Sequence, residues 1–468
     1  MKPAQLEKLE NALGKNKVYT DEGRLDEKRH DYSVLNKLDD MQGRGAPRPG
    51  CIVAPSSTQD VVTTVNICRE NKITIIPFGL GSGVCCGIVA SPDAVLLDLS
   101  GMKKIKKIDT RNLLATFEAG VRGSDAEAAV VKEGMIIGHY PQSMDVSSVG
   151  GWVATKSSGQ FSTAYGNIEN IVKGLKVVLP NGEIFDTPVV PRSSTGPELR
   201  ELFIGSEGTL GIITEVTLAL HWRPEKQDYS AFYAPNMDKG IEFQRFIVQS
   251  GWTPPVMRQY DPPEVERLFP DYVHGNDVLI IMVHEGTERK VKVEIEEIDD
   301  IAKDVGCEKA PVSAVIGWLE HRNTVPTFEE YLEQGIIVDT VEIAASWDKI
   351  GTIYTNTVAS LQQIDNMRVA SAHSSHSYRT GLNLYFTFAA QPDDPENMSS
   401  VYLDSWRRIM ESTMKDGGTI SHHHGIGRIR KPYMSAEIGE TGVEILRSLK
   451  ATLDPENIMN PSVLIPSK

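Results

Sequence analysis

Three adjacent histidines, His422, His423 and His424, lie in the run Gly418-Thr419-Ile420-Ser421-His422-His423-His424-Gly425-Ile426-Gly427-Arg428, and the chain has only 11 His in 468 residues. Imidazole takes or gives a proton near neutral pH, so three together point to acid–base chemistry. A tag remnant would be terminal; this run is internal and followed by Gly-Ile-Gly. In extended backbone, side chains alternate. His422 and His424 are therefore expected on one face and His423 on the other, so at most two face a common partner and one is structural. Tyr385, in the alternating strand pattern Leu384-Tyr385-Phe386-Thr387-Phe388, is core by default and becomes a candidate only beside the histidines. Arg192 lies in a polar loop, where arginine is ordinarily solvated; beside a developing anion it would stabilise negative charge. His373 and His376, three residues apart, read as surface or supporting groups.

Glycine-rich segments form the second group. Pro77-Phe78-Gly79-Leu80-Gly81-Ser82-Gly83-Val84 follows a buried-looking strand. Alternate glycines let backbone N–H groups crowd an anion because no Cβ blocks the approach, which makes the run a pyrophosphate cradle in principle. It lacks the Walker lysine, is not GxGxxG, and no clear helix follows it at once, so neither standard nucleotide motif is present. Alone, such a loop is as often a tight turn. Its companions are Gln142, Ser143, Asp145, Ser148, Gly150 and Gly151, then Thr155, Ser158, Gly159 and Tyr165, then Gly205-Ser206-Glu207-Gly208-Thr209-Leu210-Gly211-Ile212-Ile213. So much Gly and Ser weakens mere connectors and makes sense where backbone lies against a large flat ligand.

The elements that must position these groups read as α+β. Residues 1–45 are polar and helical, with 1–15 a short exposed helix, followed by a loop over 43–49. Short strands are expected at 51–54, 73–76, 95–99, 115–119 and 173–179, with a helix over 61–71 capped by Ser57 or Thr58. Pro224 marks a change. After it come strands at 229–233, 278–283 and 382–388, helices over 237–249, 287–305 and 397–415, and a last helix over 443–453 stopped by prolines. The apolar fraction of 40% is that of a soluble globular protein, and a net charge of −15 argues against nucleic acid. No apolar run is long enough for a transmembrane helix, and the N-terminus lacks a secretory h-region. The five Cys show no CxxC, which argues against iron–sulfur and structural zinc sites and for free thiols in a reducing, cytoplasmic compartment.

These segments resemble the FAD-binding domain of the vanillyl-alcohol oxidase/para-cresol methylhydroxylase (PCMH) flavoproteins. The Pro77 loop, Val149-Gly150-Gly151, the 205–211 run and the closing Leu453-Asp454-Pro455-Glu456-Asn457-Ile458-Met459-Asn460-Pro461 agree in order over nearly the whole chain. The resemblance implies four units: an N-terminal helical segment (1–45), a two-part PCMH-type FAD-binding domain (46–224), a ferredoxin-like α+β substrate or cap domain (225–415), and a C-terminal His-containing helical segment (416–468) returning to the FAD domain. It implies FAD bound without a covalent link. The Pro77 loop would take the pyrophosphate. The 142–148, 155–158 and 207–213 segments, with Gly159, Tyr165 and Asn460, would contact the rest.

Two branches of that family are close. The glycolate and D-lactate dehydrogenase type carries a metal site built from His-x-Gly-Asp-Gly-Asn-x-His and a Glu in Ser-Gly-Glu-His-Gly-Ile-Gly. Here Tyr378-Arg379-Thr380-Gly381-Leu382-Asn383-Leu384-Tyr385 stands in the first motif, and His423 stands where the Glu would be, so no metal is expected there. The alkylglycerone-phosphate synthase branch is the closer likeness, in the His triplet, Tyr385, Trp347-Asp348, the Pro191–Pro197 loop and Asn167-Ile168-Glu169. In that branch the triplet and the tyrosine take a proton from carbon next to a carbonyl. Its phosphate-gripping arginine, however, is replaced by the segment around Glu329, an acid that would repel phosphate; Arg322 and Arg379 are the available substitutes. The preferred expectation is an FAD oxidoreductase taking hydride from a CH–OH group, a 2-hydroxy acid for example, with a His base. The alternatives are a synthase-like transferase without net redox, and a flavin subunit of an electron-transfer assembly. Expected partners are a small-molecule substrate and an acceptor (oxygen, a quinone or a protein), and the expected assembly is a homodimer.

Overall fold

A computed structural model describes residues 1–467. Three larger sheets organise them, beside a two-stranded pair of Met135–Ile136 with His221–Trp222. The first contains Val18–Tyr19, Cys51–Val53, Val95–Asp98 and Ile75–Phe78 in that spatial order, the last three parallel. Parallel pairing requires a crossover, and the helix Thr58–Asn71 supplies it, capped by the Ser57 hydroxyl, which accepts from Asp60 N–H. The second sheet is antiparallel, ordered Ile105–Asp109, Leu114–Glu118, Ile212–Ala219, Val172–Val178, Ile184–Asp186. The glycine-rich segments are the loops that leave these two sheets.

The third sheet begins with Lys226–Ala234, Val256–Tyr260, Val278–Gly286 and Glu308–Lys309, with helices Met237–Gln249 and Glu288–Val305 inserted as in a ferredoxin-like unit. It continues through Met367–Ser374 and Gly381–Ala390 to Ile337–Ser346 at its far edge. Helices Trp347–Leu361 and Met398–Lys415 pack on the same apolar core. The chain then returns to the first sheet: Ile75 N–H donates to Ile458 O at 2.7 Å, and Asn460 N–H to Ile75 O at 2.9 Å. Three strands of the third sheet, at 256–260, 337–346 and 367–374, escape the pattern of the sequence. They bury Arg258, Gln259, Asp339 and Glu342 in mid-strand.

The N-terminal segment is less peripheral than its polarity predicts. Leu9 and Leu13 are buried, and Val34, Leu35 and Leu38 of the helix Val34–Met41 join the core of the third sheet. Tyr32 Oη donates to Pro326 O at 2.9 Å, and Lys37 pairs with Glu329. Among the described residues no helix is long and apolar enough to cross a membrane. All five cysteines are free and buried.

Candidate active site

A cavity of about 650 Å³ lies where the three sheets meet. One wall is nearly all backbone and small side chains: residues 77–84, Ser148, Gly150, Gly151, Thr155, Ser158, Gly208 and the start of the strand Ile212–Ala219. Gly208 shows why. Its φ is +73°, and a Cβ there would stand 2.3 Å from Pro77 Cγ. The other wall carries Tyr385, His423, His424, Asp339 and Thr340, with Asp31 and Tyr32 from the N-terminal segment.

The sheet register builds this second wall. Glu342 lies across from Tyr385, Tyr385 across from His373, and His373 across from Tyr260. The Tyr385 and His373 rings stack at 5.1 Å with a 6° interplanar angle, and His373 stacks on Tyr260 at 5.3 Å. This row fixes the Tyr385 ring, whose Oη lies 2.6 Å from His423 Nε2 and 3.1 Å from His424 Nε2. Burial, and next the Glu342 charge, push the Tyr385 phenol well above its ordinary pKa, so it is a neutral hydroxyl.

Glu342 organises the histidine run. Its Oε1 accepts backbone N–H from both His423 (3.1 Å) and His424 (2.8 Å), so consecutive amides converge on one carboxylate. Extended backbone cannot do this, and the run bends. This corrects the expected alternation: His423 and His424 share the cavity, while His422 points away to Tyr378 Oη, 2.6 Å from its Nε2. His424 Nδ1 is 3.0 Å from Glu342 Oε2, at ion-pair distance but not aligned as a hydrogen bond. Behind them Arg430 is fully buried. It donates from Nη1 to Glu342 Oε1 (2.8 Å), Ser421 Oγ (2.7 Å) and Gly425 O (3.0 Å), and its Nη2 pairs with Glu342 Oε2. Burial alone would raise the Glu342 carboxyl, but Arg430 and then His424 outweigh it and hold the group well below its usual range. Burial lowers His422 to about 4 and, with the neighbouring His424 and His422, His423 well below 6.5, so both rings are neutral at pH 7.

Two ties hold this loop to the glycine wall. Gly427 has φ +53°, and a Cβ there would meet Cys85 O at 1.9 Å, so the loop lies directly on the backbone beyond the Pro77 run. Glu207 Oε1 accepts from Ile426 N–H (2.6 Å), and Oε2 from Gly427 N–H (2.9 Å). Burial pushes that carboxyl up to about 7.

Comparison with known proteins gives this arrangement its context. Residues 49–188 match the model for an FAD binding domain, and residues 223–464, more than half the chain, match that for FAD linked oxidases, C-terminal domain. The chain belongs to the FAD-linked oxidase family. An uncharacterized FAD-linked oxidoreductase of Escherichia coli (strain K12), YgcU, is 33% identical over 99% of this chain and 98% of its own. Alkyldihydroxyacetonephosphate synthase of Dictyostelium discoideum is 30% identical over 90% of this chain and 74% of its own. Glycolate oxidase subunit GlcD of Bacillus subtilis (strain 168) is 29% identical over 88% of each. Among solved structures, an alkyldihydroxyacetonephosphate synthase superposes with a TM-score of 0.83 at 26% identity, covering 99% of this chain and 86% of that one. p-Cresol methylhydroxylase, at 18% identity and a TM-score of 0.76, shares the fold. The protein is thus an FAD-linked oxidoreductase of mixed α and β structure.

The glycine wall fits the FAD that the family uses. Asn460 is 3% exposed and lines the cavity; its Nδ2 donates to Glu207 O at 2.7 Å, while its Oδ1 has no partner and is left for a donor from a bound group. Of the residues expected to hold FAD, those from Pro77 to Val84 line the cavity, as do Gln142, Ser143, Ser148, Gly150, Gly151, Thr155, Ser158, Glu207, Gly208, Ile212, Ile213 and Asn460.

Three others do not line it. Asp145 is exposed. Gly159 packs on the Tyr140 backbone, and its carbonyl accepts from His376 Nε2 at 3.1 Å. Tyr165 Oη donates to Glu285 Oε2 at 2.6 Å. Arg192 is also displaced from its expected place. The edge strand Ile184–Asp186 leads into an exposed loop, and Arg192 lies there, off the cavity. Arg322 is spent on Gln160 Oε1 (2.7 Å), and Arg379 is exposed; neither lines the cavity.

One ring nitrogen each of His376, His422 and His423 lies within 4.8 Å of the other two. Each already has a partner in the protein: Ser375 Oγ and Gly159 O for His376, Tyr378 Oη for His422, Tyr385 Oη for His423, and the 2.6 Å Nδ1–Nδ1 contact between the last two rings. Glu342, Arg430 and Asp31 went unnoticed in the sequence. The one available signal was an acid inside the apolar stretch Val341-Glu342-Ile343.

Proposed function

We propose that this protein oxidises a CH–OH group of a small, uncharged molecule. The observation that carries the reading is Tyr385: a neutral hydroxyl on the cavity wall, within reach of two imidazoles and backed by the buried Glu342–Arg430 pair. FAD bound on the glycine wall would supply the two-electron acceptor. The protein's own part is to bind the alcohol beside Tyr385 and to receive its hydroxyl proton there. A phenol oxygen that donates to one imidazole keeps lone pairs free toward the cavity, so it can accept that proton while passing its own on. Among the described residues no lysine or arginine lines the cavity, whereas Asp31, Asp339 and Glu207 do. A carboxylate or phosphate on the substrate would find no counter-charge there. This favours a neutral alcohol over a 2-hydroxy acid.

The second reading is an alkyldihydroxyacetonephosphate-synthase-like exchange of acyl for alkoxy. The 0.83 TM-score to that enzyme favours it, and the cation-free wall weighs against it. An anaerobic flavin-reduction screen separates the two, using matched pairs such as 1,2-propanediol with lactate and glycerol with glycerol 3-phosphate. Neutral members should bleach the flavin, and Tyr385→Phe should keep the flavin while slowing reduction about 10²–10⁴-fold. Bleaching by the anions alone would overturn the neutral-substrate reading. Acyl-for-alkoxy exchange on acyl-dihydroxyacetone phosphate, with no alcohol bleaching the flavin, would establish the transferase.

A further inference from the structure

Two titratable side chains beside the site are not on the cavity wall. His422 and Tyr378 are each only partly buried, yet neither lines the space that holds Tyr385, His423 and His424. They continue a hydrogen-bonded series that begins on the wall. Tyr385 Oη is 2.6 Å from His423 Nε2; His423 Nδ1 is 2.6 Å from His422 Nδ1; His422 Nε2 is 2.6 Å from Tyr378 Oη. Tyr378 Oη donates to Asn167 Oδ1 at 3.3 Å. Asn167 Nδ2 reaches the Glu169 carboxylate at 3.5 Å, and the other Glu169 oxygen is buried without a partner.

The geometry points to a proton wire: Tyr385, His423, His422 and Tyr378 carry the substrate's proton out of the cavity and release it at Tyr378. The inference rests on the reading of Tyr385 as the proton acceptor. Two facing Nδ1 atoms can be bonded only if one carries the hydrogen and the other does not, so the two rings must be opposite tautomers. Suppose His423 carries it. His423 Nε2 then accepts from Tyr385, and His422 Nε2–H donates to Tyr378, which donates onward to Asn167. Every group has one donor and one acceptor, all pointing outward. When the substrate's proton arrives on the Tyr385 oxygen, three protons each move to the next member, Tyr385 to His423, His423 to His422 and His422 to Tyr378, and a fourth leaves the oxygen of the partly buried Tyr378 for solvent water. Both rings exchange tautomers, both phenols remain phenols, and no residue changes charge. The array now points inward; in the returning half-reaction a proton taken from water at Tyr378 drives the three shifts in reverse, and one proton leaves the Tyr385 oxygen for the acceptor being reduced (oxygen or a quinone), which restores it.

The surroundings suit transfer without storage. Burial holds His422 at about 4 and pushes the Tyr378 phenol up to about 12, so neither a stable imidazolium nor a phenolate interrupts the series at pH 7. His376 packs on both rings, at 4.8 and 5.2 Å, but its own nitrogens are committed to Ser375 and Gly159, so it braces the wire without joining it. The other arm from Tyr385, through His424 to Glu342, ends on Arg430 and leads nowhere a proton can go.

The test starts with the FAD-loaded protein, without substrate, labelled with ¹⁵N-histidine. At pH 7 the wire requires His422 and His423 to be neutral, of opposite tautomer, with a coupling across the shared Nδ1 proton. Tyr378→Phe should leave that coupling and release the tautomer preference of His422. An imidazolium at either ring, the same tautomer in both, or a stoichiometric divalent metal in the purified protein would overturn the wire. The kinetic arm uses the alcohol that reduces wild-type flavin fastest. Tyr378→Phe should keep KM within about twofold, slow flavin reduction about tenfold or more, and reduce the number of protons seen in a solvent-deuterium proton inventory. His422→Gln should do the same. Wild-type rate and inventory in Tyr378→Phe, with Tyr385→Phe inactive, would sink the wire alone. Retained reduction in Tyr385→Phe would sink the functional reading, and the histidine spectra would still decide the wire.

Discussion

The two walls of the cavity are built by different means. The glycine wall presents backbone from loops of two sheets, and its requirements are local: a left-handed φ at Gly208, a missing Cβ, an amide oxygen on Asn460. The histidine wall presents side chains from strands and a loop between residues 337 and 430, gathered on one buried carboxylate. Binding a flat cofactor needs close approach, which small residues provide without help. Holding a hydroxyl between two imidazoles needs fixed side chains, which here require a charge, its counter-ion and a register-matched stack of rings.

Breaking the histidine wall at its charge should have the largest effect. Glu342→Gln strands Arg430, fully buried, without its carboxylate, at a cost of about 3–5 kcal/mol. The denaturation midpoint should fall accordingly, and the pair Glu342→Gln with Arg430→Met should lose less than the single change. Equal stability of Glu342→Gln and wild type would mean that the pair does not organise the wall. Breaking the glycine wall should be milder and should leave the other wall standing. Gly208→Ala puts a Cβ against Pro77 at a left-handed φ, and flavin retention should weaken about tenfold, or about 1.4 kcal/mol. The flavin-to-protein absorbance ratio after gel filtration measures it; full occupancy would show that this wall tolerates side chains after all.

The smallest effect sharpens the contrast through pH. His422 has a folded pKa of about 4 against 6.5 in the free chain, so the unfolded state binds its proton first as pH falls. Its contribution to stability is full above about pH 6.5 and is lost toward pH 4. His422→Gln should therefore show a shallower fall in melting temperature from pH 7 to pH 5 than the wild type. Parallel curves would mean that the ring is not held neutral.

The same contrast explains what could be read in advance. The Pro77 run, Gly150 and Gly208 were legible because a glycine at a tight backbone position carries its reason with it, whereas Asn460 came only with the family resemblance. The helix Met237–Gln249 matches the expected span to the residue, and the structure shows Asn236 capping it. Strand Ile337–Ser346 was not, because Asp339 and Glu342 look like solvent residues until Tyr402, Trp406 and Arg430 arrive from 60 to 90 positions away. The faces of the triplet were misjudged for a related reason. Strand alternation is a local rule, and Glu342 overrides it by collecting two successive amides. Arg192 was carried over from a resemblance, and an edge strand left it in solvent.

The family match begins at residue 49, but the cavity begins at Asp31. Asp31 accepts from Gly87 N–H at 2.6 Å, beside the Pro77 run, and Tyr32 reaches across to Pro326. A fragment beginning at residue 49 would keep every glycine and histidine discussed above and lose one side of the cavity. For anyone designing a shortened or fused form of this enzyme, the stretch around Asp31, Tyr32 and Val34 is cavity wall and has to be kept.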